Sequence, residues 1–297
     1  MKFRLIDEER SHHSVSRLAR VLGVTAAGYH SWKRRPRSAR ARQDERLKAR
    51  IAEVHAASHG IYGAPRVHAE LRAVDGTRVS RKRVARLMRE LGIEGVSRRG
   101  KRHARRSSAE APVAPDLVRR NFTATAPDEL WVADITYVPT WEGWLFLAAV
   151  IDAHSRFCCG WSMRDDLRAD IVIDALGMAT TRRRPKAGLV HHSDRGGQYR
   201  SLAFGRTLRD SGILPSMGSP GDAYEGAAAE SFMASFKTEL VQRERFKRRD
   251  DARLAVFSYI EGFYNPLRRH SALGYRSPAE YERMLAENRH ALAPVKP

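Results

Sequence analysis

Three acids in this chain have the type and spacing to do chemistry: Asp134 in LWVADITYV, Asp194 in VHHSDRGGQY and Glu230 in AAAESFMASFKTEL. Thirty-five residues separate Asp194 from Glu230. The first two stand at the polar ends of apolar runs that read as strands, and the third opens a helical stretch. Carboxylates converging from rigid elements can hold two Mg²⁺ ions about 3.5–4 Å apart, with Mn²⁺ as a substitute. One ion activates the attacking oxygen of a phosphodiester reaction and the other stabilises the leaving oxygen. Asp134, Asp194 and Glu230 are therefore the candidate catalytic and metal-ligating residues. Glu225 is an alternative third acid, with 30 intervening residues, but Glu230 has the better context. Lys237 lies seven residues beyond Glu230, two turns on and on the same helical face, which suits a DNA-phosphate contact. His192 is a candidate for orienting a ligand or phosphate, and Asp152 reads as a supporting acid in the second strand.

The elements that must position these acids are legible from about residue 125. WVADITYVP, WLFLAAVIDA and RFCCGWSM read as three successive strands, the first two joined by a tight WEG turn. A helix at 168–183, the strand GLVHHSD, a helix near 198–211, the strand ILPSM and a long helix over 222–240 follow. This order predicts an α/β fold: a ribonuclease H-like mixed sheet with helices on both faces. Arg195-Gly196-Gly197 after Asp194 forms a turn whose backbone can approach a phosphate closely.

Charge points to the substrate. The chain of 297 residues has 54 Lys plus Arg against 34 Asp plus Glu. Residues 1–120 carry 30 basic and 12 acidic side chains, against 24 and 22 in the remainder. Such asymmetry joins a polyanion-binding region to a near-neutral catalytic part, and nucleic acid is the polyanion it suits. Residues 14–35 read as two short helices around Gly23, with Leu18, Val21 and Leu22 on one face and Thr25 capping the second. Residues 40–57 give an amphipathic helix for packing or subunit contact, with Leu47, Ile51 and Val54 on one face. Pro65 then opens a helix carrying Val67 and Leu71, Asp75-Gly76 turns the chain, and Ser80 caps SRKRVARLMRELG. That last helix offers Arg81, Lys82, Arg83 and Arg86 to DNA opposite an apolar face of Val84, Leu87, Met88 and Leu91, a helix-turn-helix arrangement.

The expected organisation is a possible helix-turn-helix at 1–37, a helical DNA-binding region with a helix-turn-helix at 38–96, a basic linker at 97–124, a catalytic core at 125–285 and a tail at 286–297. The adjacent Cys158 and Cys159 exclude a disulfide framework and a zinc knuckle, and read as buried thiols. No apolar stretch approaches the roughly 18 residues of a membrane span, and MKFRLIDEER lacks a signal-peptide core. A cytoplasmic, nucleoid-associated protein is expected.

WVADITYV, VIDAHSRFCCGW, HHSDRGGQY, AESFMASFKTEL and YNPLRRHSALGYRSPAEY together resemble insertion-sequence transposases of the retroviral-integrase superfamily, from about residue 40 to 285. The likeness is to the OrfB-type catalytic subunit of elements with two overlapping reading frames. It implies metal-dependent DNA 3′-end cleavage and strand transfer, by in-line attack of water and then of the freed 3′-OH. Asp134, Asp194 and Glu230 would hold the metals, and Arg268 and Arg269 in the distinctive RRHSALGYRSPAE segment would contact DNA or the core. The implied partners are the element ends and target DNA, a second copy of the chain, and an upstream-encoded subunit or fusion. One position departs from the pattern: the usual Asp-Asn before the helix glutamate is replaced by Glu225-Gly226. Two other readings stay open, a DNA-binding repressor derived from a transposase and a nuclease on the same fold.

Overall fold

The computed structural model describes residues 1–36, 38–97, 114–118, 124–218 and 227–292. Three short helices come first: α1 (Lys2–Glu9), α2 (Val15–Val21) and α3 (Ala26–Arg34). Ser14 and Thr25 cap α2 and α3 by accepting from the backbone N–H of Arg17 and Gly28. Gly23 turns the chain between them at φ +62°. Ile6, Ala19 and Tyr29 form the small core of this unit, and the Tyr29 hydroxyl donates to Asp7. Val21 is not on the apolar face assigned from sequence; it is exposed, and Ala19 takes the buried position. The sequence reading also begins its first helix at residue 14 and misses α1, which supplies Ile6 and Asp7.

A second helical unit comprises α4 (Ala39–Ala57), α5 (Ala64–Ala73) and α6 (Arg81–Glu90). Leu47, Ile51 and Val54 of α4 pack against Val67, Leu71, Val84, Leu87 and Met88. These residues are continuous with the core beneath the sheet, so the unit is built onto the catalytic part.

The sheet has five strands: β1 (Leu130–Thr140), β2 (Gly143–Asp152), β3 (Cys158–Arg164), β4 (Val190–Ser193) and β5 (Leu214–Met217), in the order β3-β2-β1-β4-β5. The first three are antiparallel neighbours; β4 runs parallel to both β1 and β5. Trp131, Ala133, Ala148 and Val150 face α7 (Asp170–Arg183) and α8 (Leu202–Asp210). Val132, Val138, Leu145, Leu147 and Ile151 face α9 (Ala227–Phe236), whose Phe232 and Phe236 fill that side. α9 continues through a wider π-helical turn (Lys237–Val241), and α10 (Arg249–Phe257) and α11 (Pro278–Leu292) complete the layer. The mixed sheet with helices on both faces is the ribonuclease H-like layout. Gly160 is required where β3 meets α7: a Cβ there would lie 2.2 Å from the Ala175 carbonyl oxygen. Cys158 and Cys159 are both buried and free. Among the described residues, no helix is long and apolar enough to cross a membrane.

The expected basic linker lies mostly outside the described residues. Its described part at 114–118 runs against β5, where the Leu117 N–H donates to Ser216.

Two buried arginines tie these layers together: of the two roles expected for them, contact with DNA or with the core, it is the core that they contact. Arg268 is 2% exposed and Arg269 5%. Arg268 donates to both Glu239 oxygens, through Nε at 2.6 Å and Nη2 at 2.5 Å, and to the Ser235 hydroxyl. The Tyr259 hydroxyl donates to the same carboxylate at 2.9 Å. Arg269 donates to Glu70 of α5 at 2.6 Å and to Glu280 of α11 at 2.8 Å. Its backbone N–H donates to the Tyr62 hydroxyl, which donates in turn to the Leu267 carbonyl. Helical unit, α9 and C-terminal segment thus meet around two guanidinium groups.

Breaking a buried pair strands the remaining charge, at a cost of about 3–5 kcal/mol. Arg268→Ala is expected to destabilise the chain by about that amount, whereas Arg268→Met combined with Glu239→Gln recovers most of the loss. Urea unfolding of the three proteins checks this. A second expectation concerns acid. Burial holds the His191 imidazole at about 4, below the ordinary 6.5, so the unfolded chain takes up a proton that the folded chain refuses. Its contribution is complete above pH 6.5 and is lost as pH falls towards 4, by about 2 kcal/mol at pH 5. His191→Phe, seated against Tyr199 and Phe204, should flatten that part of the pH–stability curve.

Candidate active site

Parallel pairing of β1 with β4 brings the two aspartates together. Ala133 is in register with Ser193, and each is followed by its acid, Asp134 on β1 and Asp194 at the end of β4. Asp134 lies on the same face of β1 as Val132 and Val138, the side packed by α9. Its Oδ1 accepts from the Ile135 N–H at 2.7 Å. Asp194 Oδ1 accepts from the Gly196 N–H at 2.8 Å, so the turn after β4 folds back onto the carboxylate. A Cβ at Gly196 would stand 2.9 Å from that same oxygen, which explains glycine at this position. Asp134 is partly buried and Asp194 exposed, so the pair opens to solvent on one side.

Glu230 sits in the first turn of α9, exposed, between the buried Ala229 and Phe232. Helix α9 packs on the Asp134 face of the sheet, so all three acids belong to one side of the molecule. Among the described residues, no three His, Cys, Asp or Glu side chains close into a metal-holding group, and Glu230 does not complete the aspartate pair in this arrangement. The donor set nonetheless suits a hard divalent cation: oxygen ligands only, one from within β1, one just beyond the end of β4 and one from a facing helix. Glu225 and Gly226 lie outside the described residues.

Tyr199 is a neighbour that the sequence reading missed. Its ring is buried against His191 and Phe204, and its N–H donates to the Gly196 carbonyl. The hydroxyl has no hydrogen-bond partner among the described residues. Burial first, and then the Asp134 and Asp194 carboxylates, push its pKa well up, so it stays a neutral donor beside both acids. Thr136, also buried without a hydroxyl partner, lies two residues from Asp134 on the same strand face. Only the aromatic ending of SDRGGQY could have signalled Tyr199, because Asp134, whose charge it feels, comes from 65 residues away.

The remaining candidates fall in several places. His192 is buried, with Nδ1 2.9 Å from the Ser216 hydroxyl of β5, and burial lowers its pKa. Asp152 is buried at the opposite end of the strands. It accepts from the N–H groups of Asp128, His154 and Ser155 and so organises the β2–β3 turn. Desolvation raises its pKa. Lys237 reaches the Tyr137 ring, 5.2 Å from its centroid. On α6, Arg81 and Lys82 are exposed, but Arg83 and Arg86 grip Asp44 of α4 at 2.7 and 2.8 Å. Those guanidinium groups hold the Asp44 carboxyl below its usual range, Arg86 contributing most.

Comparison with known proteins agrees with this layout. The Integrase core domain family matches residues 124–223, with a second integrase core family over 211–278, and an HTH-like domain matches 42–102. The "Insertion element IS600 uncharacterized 31 kDa protein" of Shigella sonnei is 40% identical over 264 residues, 89% of this chain and 97% of that protein. The transposase for insertion sequence element IS629, also of Shigella sonnei, is 39% identical over 284 residues, covering 94% of this chain and 95% of the relative. Among solved structures, the catalytic core domain of BIV integrase aligns with a TM-score of 0.41 at 18% identity, covering 55% of this chain and 99% of that one. Near 40% identity over almost the whole length of both chains, with an integrase core behind an HTH-like unit, places this chain in the insertion-sequence transposase family, as an enzyme of the DDE transposase/integrase class.

Proposed function

We propose that this transposase cuts the 3′ ends of its own insertion element and joins them to target DNA, with Asp134, Asp194 and Glu230 as the metal-holding acids. The observation that carries the reading is the β1–β4 register, which sets two carboxylates side by side at the open end of the sheet. A bound pair of Mg²⁺ ions, or Mn²⁺ in their place, would supply activation of the attacking oxygen and stabilisation of the leaving oxygen. Glu230 completes the set by swinging from the first turn of α9 towards the aspartates. Three unscreened carboxylates repel one another, so this closure is favoured with cations present.

Other residues orient the DNA. Tyr199 offers its hydroxyl to the aspartates from below, and Arg195 is fixed by donation to the Gly218 carbonyl at 2.6 Å, which holds the turn after Asp194. Lys237 serves a phosphate beside the acids. Arg81 and Lys82 on α6 bind the element end, while Arg83 and Arg86 hold α6 against α4. Joining two ends calls for a dimer or larger assembly on DNA, with or without an upstream-encoded partner, and the protein works in the cytoplasm at the nucleoid.

Asp134→Asn and Glu230→Gln are expected to lower 3′-end cleavage about a thousandfold or more, with terminal DNA bound within about twofold of wild type. Chelation should abolish cutting but not binding, and added Mg²⁺ or Mn²⁺ should restore it. Binding with no cutting by wild type would favour the repressor reading; cutting with no joining of a supplied 3′-OH end would favour a nuclease. Separately, Arg81→Ala and Lys82→Ala should each reduce the slope of log affinity against log salt by about one.

A further inference from the structure

Three exposed aromatic side chains gather at the end of the β1–β2 hairpin. Trp141 is 74% exposed, Trp144 51% and Tyr137 42%. Tyr137 and Trp144 meet edge to face at 4.8 Å. Trp141 stands at the turn, where Thr140 Oγ1 donates to the Gly143 carbonyl. An exposed apolar cluster of this size on a soluble enzyme marks a contact surface.

Cations lie on these rings. Lys237 Nζ is 5.2 Å from the Tyr137 centroid and Lys247 Nζ is 5.3 Å from that of Trp141. The segment 243–249 runs beside the hairpin, with Phe246 bridging Thr140 and accepting from the Trp141 N–H at 3.1 Å. It holds five basic residues and one acid, and Arg245 and Lys247 are exposed. The neighbouring acids Glu142 and Asp165 are both engaged by Arg249.

The position of this patch follows from the strand pairing. β4 covers the outer edge of β1 only as far as Ala133, and Phe246 rejoins that edge at Thr140. Among the described residues, the stretch 134–139 between them has no strand partner on that side. Asp134 begins this open edge, and Tyr137 lies three residues on, roughly 10 Å along the strand. Lys237 stands seven residues beyond Glu230, roughly 10 Å along its helix. The aromatic–cationic patch therefore begins roughly 10 Å along β1 from Asp134. Tyr137 and Trp144 face the α7 side of the sheet, and Lys237, following α9, reaches the Tyr137 ring at 5.2 Å.

We infer that the β1–β2 hairpin is a stacking platform for unpaired nucleotides next to the cleaved DNA end. Trp144 and Trp141 provide the stacking faces, and Lys237, Arg245 and Lys247 hold the phosphates between them. The inference rests on the proposed DNA-cutting function and adds the form of the DNA. Paired DNA keeps its base faces inside the duplex and needs only cations; aromatic faces become useful when bases are unstacked. A contact between two copies of the chain would be centred on a patch depleted of charge, whereas here lysines lie over the rings.

The test uses the full chain, a Trp141→Ala/Trp144→Ala variant and a Trp141→Phe/Trp144→Phe variant that keeps stacking faces. One probe is a duplex of the element's terminal sequence with a three-nucleotide unpaired flank containing 2-aminopurine; the other is the same duplex fully paired. Wild type and the Phe variant should quench the flank, while the Ala variant should lose the quench and bind that probe about tenfold more weakly. Affinity for the paired probe should change less than about twofold. Equal quenching and affinity in all three proteins would overturn the inference. So would an equal loss on both probes, or a smaller sedimenting mass of the Ala variant, which would make the hairpin an interface between copies. Cleavage of the flanked probe by wild type reports on the enzyme separately: cutting by wild type with normal quenching by the Ala variant fails the platform alone, and no cutting fails the functional reading beneath it.

Discussion

The parallel pairing of β1 with β4 is the constraint on which the rest depends. Side chains alternate along a strand, so a slip of one residue would turn Asp134 from the α9 side to the α7 side and separate it from Asp194. The register is held by apolar anchors on both faces: Trp131 and Ala133 against α7 and α8, Val132 against α9. Gly160 allows α7 to lie close on β3, and the fully buried Trp131 fixes the strand beside it. The core thus does more than stabilise the chain. It determines which oxygens face one another at the open end of the sheet.

A second constraint works at longer range. Glu239 lies on the same continuous helix as Glu230, and Arg268 holds it in a nearly dry environment. Desolvation alone would lower the Arg268 pKa, but the hydrogen bonds and charge of Glu239 more than reverse this, so the guanidinium stays charged. Arg269 binds the next layer through Glu70 of the α4–α6 helical unit. The helix that carries the third acid and the helices that carry Arg81 and Lys82 are therefore registered to one another through adjacent guanidinium groups. Such pairs add little net stability over an apolar replacement, whereas losing one partner strands a buried charge.

Much of this was legible in the sequence, for local reasons. The strands announced themselves as apolar runs punctuated by Asp134, Asp152 and the SDRGG turn, and the caps Thr25 and Ser80 take the positions expected of them. Asp134 and Asp194 stand out in the sequence by type and context, although Asp134 lies within β1 rather than at its end. What failed was non-local. For Arg268 and Arg269 the choice between DNA and the core stayed open, because nothing nearby in sequence shows that Glu239 and Glu70 await them. The ion pairs of Arg83 and Arg86 with Asp44 were not legible, because Asp44 lies about 40 residues away. Val21 was misassigned because seven-residue helices present too few turns to define a buried face. Tyr199 was missed because its relation to Asp134 exists only once β1 and β4 pair.

The central claim is that this pairing builds one metal site from Asp134, Asp194 and Glu230. Anomalous diffraction at the manganese edge, from crystals of the full chain bound to its terminal DNA and Mn²⁺, tests it most directly. The account predicts a peak shared by Asp134 and Asp194, and a second about 3.5–4 Å away, with Glu230 drawn in as a ligand. Peaks at other residues, or Mn²⁺ bound by the aspartates with Glu230 still turned away while DNA occupies the site, would contradict it.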